Sequence, residues 1–323
     1  MVAYKYIYSI IIPHKNIPKL LQRCLDSIPQ RDDTEIIIVD DNSDPNIVDF
    51  NNFPGKDRKN TTVILDKKGG GAGHARNLGL EVASGKKLLF ADADDYFNYC
   101  IRDVLEEYKN DEHDLVFFRM SVVDCETYKN IKSPRIHHIN EMFDIYEKEP
   151  QKGLHLLRFF VGSPCAKIIH RSVIDSFLLR FDETPMCNDE RFIYMVGFHS
   201  SSFLVNKLAI YCVTERKGSI VHSELTEEKE LARMKVYSAR DRFYAENKII
   251  QCDKYGTIVW VLAEIKKQKK ESLYQKCIKI LKDDGLNVQE IEARIVQLIQ
   301  KQKKDERKKI LKRKAKGFIK KFI

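Results

Sequence analysis

The sequence predicts an α/β fold: a mostly parallel sheet with helices on both faces, followed by a helical C-terminal region. Three observations predict it. Short apolar runs at 8–13, 35–39, 61–65, 87–91 and 114–118 alternate with stretches of helical periodicity. The runs are apolar on consecutive positions, as in strands buried on both faces, and strand–helix alternation of this kind builds a parallel sheet. The runs also end in polar or glycine-rich residues: His14-Lys15-Asn16, Asp40-Asp41, the glycines at 69–73, and Asp92 to Asp95. The carboxyl edge is where such sheets bind ligands.

The elements follow in order. After the first strand, Asn16 suits a helix N-cap; Leu20, Leu21, Cys24, Leu25 and Ile28 then recur at helical spacing, and Pro29 stops the run. The second strand ends in Asp40-Asp41-Asn42-Ser43, and the third leads into Gly69-Gly70-Gly71-Ala72-Gly73. That glycine run has neither dinucleotide-fingerprint nor Walker spacing. It reads either as a flexible loop or as close backbone approach to a ligand, with Arg76 and Asn77 as polar contacts. A helix over 74–83 should turn Ala75, Leu78 and Val82 inward. The fourth strand ends in Asp92, Asp94 and Asp95. Extended backbone sends residues two apart to one side, so Asp92 and Asp94 can converge on one hard cation, Mg²⁺ or Mn²⁺. On its own the cluster reads equally well as a polar turn.

Bulk properties bound the rest. The chain has 323 residues, room for a large α/β domain with an appendage, and its 43% hydrophobic content is that of a globular protein. Eight cysteines form no CxxC pair, which points to reduced thiols in a cytosolic chain. Residues 1–8 lack the apolar core of a signal peptide, and no apolar run is long enough to span a bilayer. Of the net charge of +9, the segment 301–323 alone supplies +10, with twelve Lys/Arg against two acids.

Several motifs together resemble family 2 glycosyltransferases of the Rossmann-like GT-A fold. They are Ser9-Ile-Ile-Ile-Pro13, Glu35-Ile-Ile-Ile-Val-Asp-Asp-Asn-Ser43, Gly70-Gly-Ala-Gly-His-Ala-Arg-Asn-Leu-Gly79 and Phe90-Ala-Asp-Ala-Asp-Asp95. The resemblance implies that the strand-end aspartates hold a nucleotide and that the DxD, Asp92-Ala93-Asp94, binds the divalent metal on the donor diphosphate. A later Glu-Asp-x-x-Phe type element carries the catalytic base in that family. Here it is Asn188-Asp189-Glu190-Arg191-Phe192, after Ser163-Pro164-Cys165-Ala166-Lys167, so Asp189 falls on the base position. Asn188 departs from the usual Glu, and Glu190 is the competitor one residue on. Asp189 also reads as an acid favoured at a helix N-terminus. Lys15 stands where the family often has a base-stacking aromatic; His14 is its substitute or a solvated turn residue.

Glu215-Arg216-Lys217-Gly218-Ser219-Ile220-Val221-His222 resembles the family's closing loop. Arg216, Lys217 and the Gly218-Ser219 backbone would then neutralise the leaving group, with His222 a candidate metal ligand. The resemblance thus implies donor contacts from Pro13, Asn16, Asp40, Asp41, Gly71, Arg76, Asp92, Ala93, Arg216 and Ser219. The metal set is Asp92, Asp94 and His222.

The expected activity is inverting transfer from a nucleotide-sugar donor, UDP-linked, to a saccharide or lipid-linked acceptor in surface polysaccharide biosynthesis. Two rivals are a sugar nucleotidyltransferase and a non-catalytic, membrane-associated partner subunit of the same fold. The expected organisation is a catalytic domain over 1–222, a helical region over 223–300 and a tail over 301–323. Helices are expected at 224–248, 255–270 and 286–300; segment 125–160 offers no assignment, and the adjacent His137-His138 cannot face one metal from a helix. In the tail, Ile310, Leu311, Ala315, Phe318, Ile319, Phe322 and Ile323 form an apolar stripe on a cationic helix. That pattern suits an anionic membrane surface better than nucleic acid, so the expected place is the cytoplasm, at the inner face of the cell membrane.

Overall fold

The computed structural model describes residues 4–216, 225–251 and 253–319, with side chains in the last stretch to residue 308. Among these residues the strands are β1 (Tyr6–His14), β2 (Thr34–Asp41), β3 (Thr61–Asp66), β4 (Gly85–Phe90), β5 (Tyr96–Phe97), β6 (Leu115–Asp124), β7 (Lys167–His170) and β8 (Phe203–Glu215). The helices are α1 (Pro18–Asp26), α2 (Gly71–Val82), α3 (Ile101–Glu107), α4 (Pro134–Lys148), α5 (Pro150–Phe159), α6 (Arg171–Ser176) and α7 (Glu190–His199), then α8 (Glu227–Glu246), α9 (Gly256–Lys267), α10 (Glu271–Asp283) and α11 (Val288–Ile319).

The chain divides into two compact units, Met1–Ser223 and Glu224–Ile323. In the first, the strands form one mixed sheet in the order β3-β2-β1-β4-β7-β6-β8-β5. Strands β1 to β4 run parallel, β6 and β8 pair in parallel, and β7 enters antiparallel between β4 and β6. This is the expected α/β sheet, with β5 and β7 reversed. Every residue of β2 is buried, as its unbroken apolar run requires. Helix α2 packs on β1 and β2, α4 on β6 and α6 on β4.

Local differences from expectation have physical causes. Helix α1 starts at Pro18, the first-turn position that tolerates a missing N–H. Asn16 is therefore not its N-cap: it has φ +58°, its amide N–H donates to Ser43 Oγ, and its side-chain oxygen accepts from the Asp44 N–H. Helix α2 begins three residues early, at Gly71, which has φ +87°. Val82, expected inward, is 47% exposed at the last turn. Segment 125–160 holds α4 and α5, each with proline in its first turn; His137 and His138 lie exposed on α4 beside Glu141.

The second unit has its own core, with Met234, Ile258, Leu262, Leu273, Cys277, Leu281, Ile291 and Ile295 buried together. Helix α10 lay outside the expected helices. Helix α11 runs without a break through 300/301, where a separate tail was expected to begin.

Candidate active site

The ends of β1, β2 and β4 meet at one rim because they are parallel neighbours. His14, expected as a stacking group or a solvated turn residue, is instead 2% exposed. Its Nε2 accepts from the Ile17 N–H, which leaves Nδ1 to donate to Asp40 Oδ1 at 2.8 Å. Its edge meets the Phe53 ring. Asp40 also accepts from the N–H and hydroxyl of Ser43. Burial opposes its charge, yet the hydrogen bonds from His14 and Ser43 prevail and hold the carboxyl below the usual range. Asp40 is 1% exposed and both its oxygens are engaged within the rim. Asp41 accepts from the Gly71 N–H at 2.8 Å and from the half-exposed Lys15 at 3.0 Å. That tie brings the glycine turn onto the end of β2. Pro13 precedes His14 on β1, opposite Val39. A side chain added at Gly71 would meet nothing within 4 Å, so the turn is open there.

Beyond the end of β4 the chain turns rather than staying extended, the Asp95 N–H donating to the Asp92 carbonyl at 3.0 Å, and exposure still alternates: Asp92 and Asp94 face outward while Ala93 and Asp95 are buried. The Asp92 and Asp94 side chains are 40% and 27% exposed. Burial, then the Asp92 charge, raises the Asp94 carboxyl, and Arg216 Nε at 3.4 Å from its Oδ2 works against the rise. Two outward carboxylates, one of them held up by the other's charge, fit a divalent cation, which would relieve that repulsion. Among the described residues no third His, Cys, Asp or Glu joins them. Asp95 does something different. It accepts from the Thr214 N–H at 2.7 Å and hydrogen-bonds the Tyr211 hydroxyl, which itself accepts from the Asp92 N–H at 2.8 Å. Arg23 and the Thr214 hydroxyl both donate to the Asp94 carbonyl. Strand β8 therefore braces the DxD turn from behind. Sequence reading missed Arg23, Tyr211 and Thr214; the antiparallel pairing of β8 with β5, which follows the turn directly, brings the last two within its reach.

Asp189 is the N-cap residue of α7 and its side chain makes no capping hydrogen bond. Burial raises its carboxyl; the Arg76 charge lowers it, Glu190 and Asp92 raise it, and Arg135 lowers it. Glu190 opens the helix, its carboxylate against Gly162. Lys167 is buried behind the site, donates to the Ser163 carbonyl and is pushed down to about 8 by burial. Arg76, expected as a donor contact, is 5% exposed: one Nη donates to Asn188 Oδ1 at 2.9 Å, the other to Asp92 Oδ1 at 2.6 Å. Asn77 is likewise buried on the backbone of Phe181. Lys217, Gly218, Ser219 and His222 lie outside the described residues.

Residues 9–178 match the family model for glycosyl transferase family 2, more than half of the chain. The chain belongs to that family. Among family relatives, it is 40% identical over 93 residues to the poly(ribitol-phosphate) beta-glucosyltransferase of Bacillus spizizenii. That match covers 27% of this chain and spans only 15% of the relative's length. It is 27% identical over 250 residues to the uncharacterized glycosyltransferase EpsJ of Bacillus subtilis, covering 73% of this chain and 69% of EpsJ. Among solved structures, the crystal structure of S. aureus TarS 1-349 in complex with UDP-GlcNAc superposes with a TM-score of 0.60 at 20% identity. The superposition covers 86% of this family 2 chain and 80% of the TarS 1-349 chain. The shared fold is the expected GT-A fold.

Proposed function

We propose that the chain is an inverting glycosyltransferase. It takes a sugar from a nucleoside diphosphate donor, UDP-linked, and passes it to a saccharide or lipid-linked saccharide acceptor in surface polysaccharide assembly. One observation carries the reading: Asp92 and Asp94 turn outward from one turn, and the Arg76 guanidinium that holds Asp92 also sets its charge beside the uncommitted N-cap carboxylate of Asp189. Family membership, and relatives named for teichoic-acid and other glycosyl transfer, support the substrate class.

Asp189 takes the proton of an acceptor hydroxyl as that oxygen attacks the anomeric carbon. The bond from that carbon to the diphosphate oxygen breaks on the opposite face, so one displacement inverts the configuration. Asp92 and Asp94 would hold Mg²⁺ or Mn²⁺, which when bound stabilises negative charge on the leaving diphosphate. Asp41 and the open turn at Gly71 lie on the nucleotide side, and Arg216 stands beside Asp94 where a leaving-group cation is useful. Ser219 and His222 complete the proposed lid and metal set from the sequence alone. The basic segment after residue 300 would hold the protein on an anionic membrane surface.

The test is UDP release from UDP-Glc, UDP-Gal, UDP-GlcNAc and UDP-GalNAc with Mn²⁺. Asp189→Asn should abolish transfer and keep UDP binding; full turnover in that variant would refute the base assignment. Because burial raises the Asp189 carboxyl and the base acts deprotonated, kcat/KM should fall on acidification at a pH above the ordinary Asp value of 3.8. Release of diphosphate instead of UDP would identify a nucleotidyltransferase.

A further inference from the structure

The first turns of α2, which read from the sequence either as a flexible loop or as a ligand cradle, are engaged with the segment that leads into Asp189. A Cβ at Gly73 would stand 2.1 Å from the Asp182 carbonyl oxygen and 3.0 Å from Asn188 Cβ, so helix and segment meet there without room for a methyl group. His74 Nδ1 lies 3.0 Å from Glu183 Oε1. The Asn77 side-chain amide pairs with both backbone groups of Phe181, accepting from its N–H at 2.9 Å and donating to its carbonyl at 3.0 Å. Arg76 lies between these contacts with its guanidinium 5.3 Å from the Phe181 ring centroid. It alone in this group also reaches the DxD turn.

We infer that Arg76 is a positioning residue that sets the spacing between the metal-side carboxylate Asp92 and the acceptor-side base Asp189, acting on the base through Asn188. The inference rests on the reading of Asp189 as the base. Two features of the chemistry carry it. A guanidinium is a planar fork whose two terminal nitrogens can serve two partners at a fixed separation, and a lysine ammonium is a point charge that cannot. Asn188 also accepts its hydrogen bond without bringing a charge, so the Arg76 cation stays shared between Asp92 and Asp189. An acid at 188 would draw that charge to itself. Nucleotide and metal meet the outward side of Asp92, while Arg76 holds it from the buried side.

The full-length chain tests this with Arg76→Lys, Asn188→Ala and Asn188→Asp, beside Asp189→Asn as the control on the base. Turnover is read as UDP release from the best of the four UDP-sugars. UDP affinity is measured by calorimetry with Mn²⁺ and again in EDTA. Arg76→Lys should lower kcat about 10- to 100-fold, the scale of a misplaced catalytic group. It should weaken UDP binding only when Mn²⁺ is present, because its effect passes through Asp92. Asn188→Ala leaves Arg76 on Asp92, so it should lower kcat and leave UDP affinity with Mn²⁺ unchanged. In Asn188→Asp the added carboxylate joins Arg76, Glu190, Asp92 and Arg135 around the base. The acidic limb of kcat/KM should then move to higher pH, a change that a purely structural role would not produce.

Equal loss of UDP affinity with and without Mn²⁺ in Arg76→Lys would make Arg76 a direct nucleotide contact and overturn the inference. So would wild-type kcat in both Arg76→Lys and Asn188→Ala while Asp189→Asn is inactive, with the base reading left intact. Turnover in Asp189→Asn would instead remove the base reading itself. If Arg76→Lys does not fold, as judged by circular dichroism, the two Asn188 variants decide the matter.

Discussion

At the scale of single residues, the site is built by buried polar groups that hold one another. His14 and Ser43 occupy Asp40; Tyr211 and Thr214 occupy Asp95; Arg76 occupies Asp92 from beneath. Each carboxylate is acidic enough to look like a ligand in the sequence, but only Asp92 and Asp94 turn outward at the DxD. Tyr211 is the sharpest case, since one hydroxyl serves both the Asp92 N–H and the Asp95 carboxyl. Tyr211→Phe removes it and leaves both groups buried without that partner. Loss of about 1–3 kcal/mol is expected, measured by urea unfolding. A loss below the error of that measurement would mean that the Asp92 N–H has another partner.

At the scale of elements, the parallel strands were legible because a strand buried on both faces is apolar on consecutive positions, as at Ile10–Ile12 of β1 and Ile36–Val39 of β2. The rim was legible for the same reason: polar residues at those strand ends have nowhere else to go. What local pattern could not carry was the direction of β7, set by pairing with β4 and β6 rather than by its own four residues. Nor could it carry the duty of α2. Gly70 to Asn77 looks like a ligand cradle, because close approach of backbone to backbone needs the same small residues as close approach to a phosphate. The two duties separate at Gly71 and Gly73: the first faces open space and the second faces the Asp182 carbonyl. Gly73→Ala should therefore cost about 1–3 kcal/mol through overpacking, again measurable by urea unfolding. It should also lower kcat, because it pushes the Asp189 segment off its seat. Stability equal to wild type would show that the segment shifts freely.

At the scale of the whole molecule, the net positive charge is carried by one end. Helix α11 is 32 residues long, about 48 Å at 1.5 Å per residue, and Ile291 and Ile295 anchor its first turns in the core of the second unit. No helix among the described residues is long and apolar enough to cross a membrane. An anionic surface attracts a basic residue by about 1 kcal/mol each, so twelve Lys/Arg within 301–323 would give firm adhesion even if most contribute only in part. Truncation before Lys301 should weaken co-sedimentation with anionic vesicles while leaving turnover on a soluble acceptor. Unchanged sedimentation would remove the membrane role of the tail.

The bond from Arg76 to Asn188 joins residues 112 apart in the chain, and the bond from Asp92 to Tyr211 joins residues 119 apart. During synthesis the sheet strands β1 to β4 and the DxD exist long before either partner emerges. Asp189, Tyr211, Thr214 and Arg216 all follow residue 178, where the family model ends. Contacts of such separation bear the cost of closing long loops and form late. The nascent chain thus carries its DxD turn without the Tyr211 and Thr214 braces until β8 docks. A fragment limited to the family-matching stretch would keep the DxD and lose Asp189 together with the β8 braces.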